Sequence, residues 1–163
     1  MSLRPALIAE LSRLQGHAGP VATAHVSTGG GVTLSIDFLA VDTLACEFEQ
    51  IVVHAPAQQS APFDALKRWA QQLSRRISYL LEQIAPLEFD EAAGEVLVRS
   101  TPPDQLTDGT QYYEMLLHSQ QGGGLALRRY RAIKGQPGRQ QIPMTTTREV
   151  LLKLADDLID SMP

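Results

Sequence analysis

Apolar residues recur along this chain at two different spacings, and the switch between them divides it into elements. Leu3, Leu7, Ile8, Leu11 and Leu14 fall three or four positions apart, the spacing of one face of a helix, with Ser2 placed to cap its start and Gly16 to stop it. Beyond Gly19-Pro20 the period becomes two. Val21 to Ser27 reads as a strand, Thr28-Gly29-Gly30-Gly31 as a hairpin turn, and Val32, Leu34, Ile36 and Phe38 alternate with polar residues on a second strand. Leu44, Cys46 and Phe48, then Ile51 to Val53, predict a third.

The helical spacing then returns. Leu66, Trp69, Ala70, Leu73, Ile77, Leu80, Leu81 and Ile84 predict a long amphipathic helix of more than five turns, with Ser60 as a cap, Pro62 in its first turn and Pro86 ending it. Val96 to Arg99 reads as a fourth strand. Tyr112 to Ser119 and Leu125 to Ile133 form a hairpin about a Gln-Gln-Gly-Gly-Gly turn, and Gln140 to Pro143 reads as a short edge segment. Thr146 and Glu149 stand at capping-box spacing before a last helix carrying Val150, Leu151, Leu154, Leu158 and Ile159. Asp156, Asp157 and Asp160 crowd its C-terminal end, where the helix dipole disfavours negative charge, so that end is expected to fray or to meet a cation.

The pattern predicts one α+β domain spanning residues 1–163, in which an antiparallel sheet of about six strands is packed by three amphipathic helices. The order is helix, three strands, helix, three or four strands, helix. At 163 residues such a domain can bury a core without covalent staples. The single cysteine, Cys46, rules out an internal disulfide and fits a reducing compartment, so a cytoplasmic location is expected. With 44% hydrophobic residues and no long charge-free apolar run, the chain reads as soluble, with no secretory signal and no membrane partner.

Charge adds a direction to this picture. The net charge of -4 argues against nucleic acid as a partner, because phosphates reward clustered cations. Between Leu14 and Leu66 there is no Lys or Arg, whereas Arg128, Arg129, Arg131, Lys134 and Arg139 follow one another with no acid among them. On a strand Arg129 and Arg131 point to one face and Arg128 and Tyr130 to the other. Guanidinium groups beside a tyrosine can clamp a carboxylate, a phosphate or an acidic protein, and they can equally keep an edge strand from pairing with another chain.

The remaining candidates carry less. Neither glycine run has the lysine of a phosphate loop or the strand and helix context of a dinucleotide site, so both read as hairpin turns. His17, His25, His54 and His118 lack metal-ligand spacing, although neighbouring strands could unite the last three; no metal or cofactor is expected. Cys46 sits in an apolar slot beside Glu47 and Glu49, which would raise its thiol pKa, the wrong direction for a nucleophile. No serine elbow is present, and Glu47/Glu49 and Asp90/Glu91 read as solvated carboxylates, so no catalytic residue is assigned.

The order of elements is similar to that of class I type III secretion chaperones. That resemblance implies a dimer that binds an extended segment of a partner along its sheet and helices by strand addition. The expected function is therefore a non-enzymatic, chaperone-like interaction protein engaging a protein partner or a second copy. Its candidate contact residues are His118, Arg128, Arg129, Tyr130, Arg131, Lys134 and Arg139. The alternative is a binder or enzyme for a small anionic ligand held between sheet and central helix by Arg129, Arg131, Tyr130 and His118.

Overall fold

The computed structural model describes residues 3–163. In chain order it comprises α1 (Arg4–Leu14), β1 (Ala18–Ser27), β2 (Thr33–Val41), β3 (Ala45–His54), α2 (Phe63–Arg76), β4 (Ile84–Asp90), β5 (Glu95–Ser100), β6 (Asp104–Gln105), β7 (Gly109–His118), β8 (Gly124–Ile133), β9 (Gln140–Ile142), β10 (Met144–Thr147) and α3 (Arg148–Asp160). The predicted α+β class and element order are found. No helix among the described residues is long and apolar enough to cross a membrane.

The sheet runs β1-β2-β3-β8-β7-β5-β4, and every pairing in it is antiparallel. After β3, α2 carries the chain from the middle of the sheet to its far edge, and β4, β5, β7 and β8 step back towards the centre. β3 and β8 are paired only at one end, Ile51 to Leu127 and His54 to Gly124. Beyond that point they diverge into a fork. β9 pairs with β8, β10 pairs with β3, and Pro143 stands between the two, so residues 140 to 147 fill the fork as a wedge with proline at its turn. The Gln141 side chain ties the wedge across the gap, donating to the Glu49 carbonyl at 3.1 Å. The segment expected at an edge is thus internal, because its outward N–H and C=O groups are used by two strands.

One face of the sheet carries Leu34, Ile36, Phe38, Phe48, Ile51, Val96, Val98, Met115, Leu117, Leu125 and Leu127, and all three helices press their apolar stripes onto it. Phe38 and Phe48 meet edge to face with centroids 6.3 Å apart. Trp69, wholly buried on α2, donates its indole N–H to the Leu158 carbonyl at 3.2 Å and so locks α2 to α3. The burial of Cys46 places it in this core and pushes its thiol pKa up, as its apolar slot predicts.

The long helix is shorter than its periodicity predicts. α2 ends at Arg76, and Ile77 leaves helical geometry with φ -90° and ψ 86°. The last three apolar positions of the pattern separate: Leu80 is buried in the following loop, Leu81 is fully exposed, and Ile84 opens β4. Side chains beyond the helix decide this. Tyr79 gives its hydroxyl to Asp157 at 2.7 Å, Glu82 pairs with Arg129 at 2.8 Å, and the Gln83 carbonyl receives the Thr101 N–H at 2.7 Å. These contacts, with the ladder from β4 to β5, replace the hydrogen bonds that another two helical turns would supply.

Smaller boundaries shift for similar reasons. Pro62, not Ser60, precedes α2, and no side chain caps it. β10 runs on through Thr146, so Thr147 caps α3 by accepting the Val150 N–H at 3.1 Å. The cap expected at Ser2 lies outside the described residues; Leu3 occupies the N-cap position of α1. Leu44 is exposed in the β2–β3 turn. The acidic end of α3 meets cations, with Asp156 against Arg4 at 3.1 Å and Asp157 against Lys153 at 3.4 Å and Arg76 at 3.9 Å.

Candidate functional site

The helices cover one face of the sheet and leave the other open, and β8 distributes its basic residues between the two. Arg129, on the covered face, is buried and gives Glu82 two bonds, 3.2 and 2.8 Å, with its guanidinium 4.1 Å above the Tyr113 ring. Ser100 completes this knot by donating to Glu82 at 2.8 Å while accepting the Tyr113 N–H at 2.8 Å. Arg129 therefore holds the loop before β4 against the sheet. Arg131 lies on the same face beyond the reach of the helices, in an open depression of about 450 Å³ with Thr107 and Asp108. Lys134 is exposed in the turn after β8.

Arg128 and Tyr130 project onto the open face, where Glu114 is the centre of charge. It stands opposite Arg128 on β8 and Arg99 on β5. Arg99 donates to it at 2.9 Å, and Arg139, reaching over from the start of β9, donates at 2.6 and 3.1 Å. The Arg139 guanidinium lies 3.6 Å above the Tyr130 ring, and Tyr112 stacks beside Tyr130 with centroids 6.0 Å apart. Burial pushes the Glu114 carboxyl up, but the hydrogen bonds from Arg139 and Arg99 outweigh it and hold the group below the usual carboxylate range. The same bond raises Arg139 further, so both stay ionised.

A polar row continues across the sheet from this centre. Arg128 donates through Nε to Gln50 at 2.8 Å, Gln50 to Asp37 at 2.8 Å, and Thr23 to the other oxygen of Asp37 at 2.8 Å. Beside it runs a second row of different chemistry. Leu97, Leu116, Ala126 and Val52 are successive cross-strand neighbours on β5, β7, β8 and β3, all on the open face and all half-buried. The open face of an antiparallel sheet is ordinarily polar. An apolar stripe there, edged by arginines, is a surface with which another molecule can exchange water for contact.

The residues picked out in the sequence do not converge on a single pocket. Arg128, Tyr130 and Arg139 share the open face with His118, which lies two rows from Glu114 and holds the Gln120 carbonyl at 2.8 Å. Arg129 and Arg131 face the other way. His25, His54 and His118 fall on β1, β3 and β7, which are not neighbours, and no group of three or more metal-ligating side chains is found among the described residues. Sequence reasoning passed over Glu114, Glu82, Arg99 and the apolar stripe. Counting outward from the turn, with Ser119 facing Leu125, sets Glu114 opposite Tyr130, whereas the register found pairs His118 with Gly124 and so Glu114 with Arg128; nothing local marks Glu82 as the partner of a residue 47 positions away.

Compared with models of protein families, with curated proteins and with solved structures, the chain matches none.

Proposed function

We propose that this protein is a non-enzymatic, chaperone-like interaction protein that docks a protein partner on the open face of its sheet. The observation that carries this reading is the stripe Leu97, Leu116, Ala126 and Val52, bordered by the Arg99, Glu114 and Arg128 row on a face that none of α1, α2 and α3 covers among the described residues. Apolar contact supplies adhesion and the charged row supplies register, the division of labour seen in protein interfaces. A small anionic ligand is served less well, because Arg129 and Arg139 already spend their forks on Glu82 and Glu114. The test is capture from native lysate by immobilised wild-type chain and by L116D, whose thermal melting should match because position 116 is half-exposed. Partners retained by the wild type and lost by L116D support the reading, and an identical set on both refutes it.

A further inference from the structure

One arginine of the sheet is left without an acceptor. Arg99 donates to Glu114, Arg128 to Gln50 and Arg129 to Glu82. Arg131 follows Arg129 on the same face of β8, half-buried, with no ion pair and no side-chain hydrogen bond among the described residues, and its Nε is buried without a partner. A guanidinium carries five donors, and drawing it partly out of water with none of them matched is costly. A buried polar group left over in a folded chain is met by water or by a bound ligand. Arg129 is spent on Glu82 beneath the helices, whereas Arg131 lies beyond them with its fork unused.

The surroundings suit an oxyanion. Arg131 stands between two depressions and lines both. The smaller, of about 110 Å³, lies against the turn from β8 to β9, where Gln136 and Gln140 offer amide donors and no acid enters the lining. Gln140 is the cross-strand neighbour of Arg131. Arg139 shares this lining but commits both Nη atoms to Glu114, so the unmatched charge is that of Arg131. The larger depression, of about 450 Å³, opens on the other side with Leu106 and Thr107 and has room for a body that carries the oxyanion. Asp108 is the one acid in the two linings, and Asp104, beyond Gln111, is held by that side chain at 2.9 Å.

We propose that Arg131 anchors a binding site for a small oxyanion, the phosphate or carboxylate group of a small molecule whose body lies in the larger depression. A guanidinium fork matches such oxygens two at a time. The test is a titration of the full chain with sodium phosphate, and separately with sodium acetate, at an ionic strength held constant with chloride. It is followed through the backbone amide NMR signals of Gly138 and Gln140, which line the smaller depression. The expected result is a saturable shift with a dissociation constant of about 1 mM for at least one anion, within reach of two charge-assisted bonds. Saturation by phosphate alone, by acetate alone or by both names the group as phosphate, carboxylate or either. R131M should weaken binding at least about 10-fold and still melt within about 2 °C of wild type, because the side chain holds nothing else in the fold. R131K keeps the charge, loses the fork and should fall between the two. No saturation by either anion up to about 100 mM, binding by R131M equal to wild type, or equal shifts beside the exposed Arg68 and Arg75 of α2 overturns the proposal.

Discussion

The pair Arg129 and Glu82 offers the sharpest quantitative test of how this fold is held. Their side chains are 10% and 9% exposed, so water screens them little and neither finds a substitute partner when the other is removed. R129M takes two charge-assisted bonds from Glu82 and leaves its carboxylate with Ser100 alone. Breaking a buried ion pair on one side costs about 3–5 kcal/mol, and in a chain of this length each kcal/mol lowers the melting temperature by roughly 2–4 °C, giving about 6–20 °C. The double variant R129M/E82L removes both charges with little loss of volume and should return to within about 1–2 kcal/mol of wild type. Urea denaturation of the four proteins closes the cycle. A cost below about 1 kcal/mol for R129M, or a double variant as unstable as either single one, would refute the claim that burial makes this pair interdependent.

Other consequences follow from burial, backbone and charge. L81S should change stability by less than about 0.5 kcal/mol in the same melt, because Leu81 is fully exposed; a loss of 2 kcal/mol or more would restore it to the core that its periodicity suggests. G123A should destabilise by more than about 2 kcal/mol, since Gly123 adopts φ +75° and a Cβ there would stand 2.6 Å from the Ala55 carbonyl oxygen; an unchanged midpoint would contradict that packing. Glu114 is held below its ordinary pKa, so its contribution to stability is present above the unfolded value of about 4.3 and is lost as pH falls through the folded one. E114Q should therefore flatten the acid limb of a stability profile, and an unaltered limb would rule Glu114 out as its source. Tyr79 and Tyr113 shift the other way, raised first by burial, so stability should decline above pH about 10 as the unfolded phenols ionise, and Y79F should soften that decline.

The sequence by itself determined the alternation of elements, because period two and period 3.6 are local properties that a one-sided core imposes on any strand or helix. It also determined the opposite facing of Arg128 and Arg129 and the burial of Cys46. It misjudged the end of α2, because Ile77, Leu80 and Ile84 keep helical spacing while Tyr79, Glu82 and Gln83 are claimed by groups elsewhere in the chain. Only the tertiary structure decided that β3 and β8 are neighbours, that residues 140 to 147 wedge the fork between them, and that four apolar residues from four strands line up on the uncovered face. Those facts depend on strand order and register, which are long-range pairings, and no local spacing encodes which strand another will meet. The basic run shows both halves of the lesson. Its residues were legible in order, but whether each arginine grips a carboxylate of its own chain or faces outward was settled by what the fold brought opposite it.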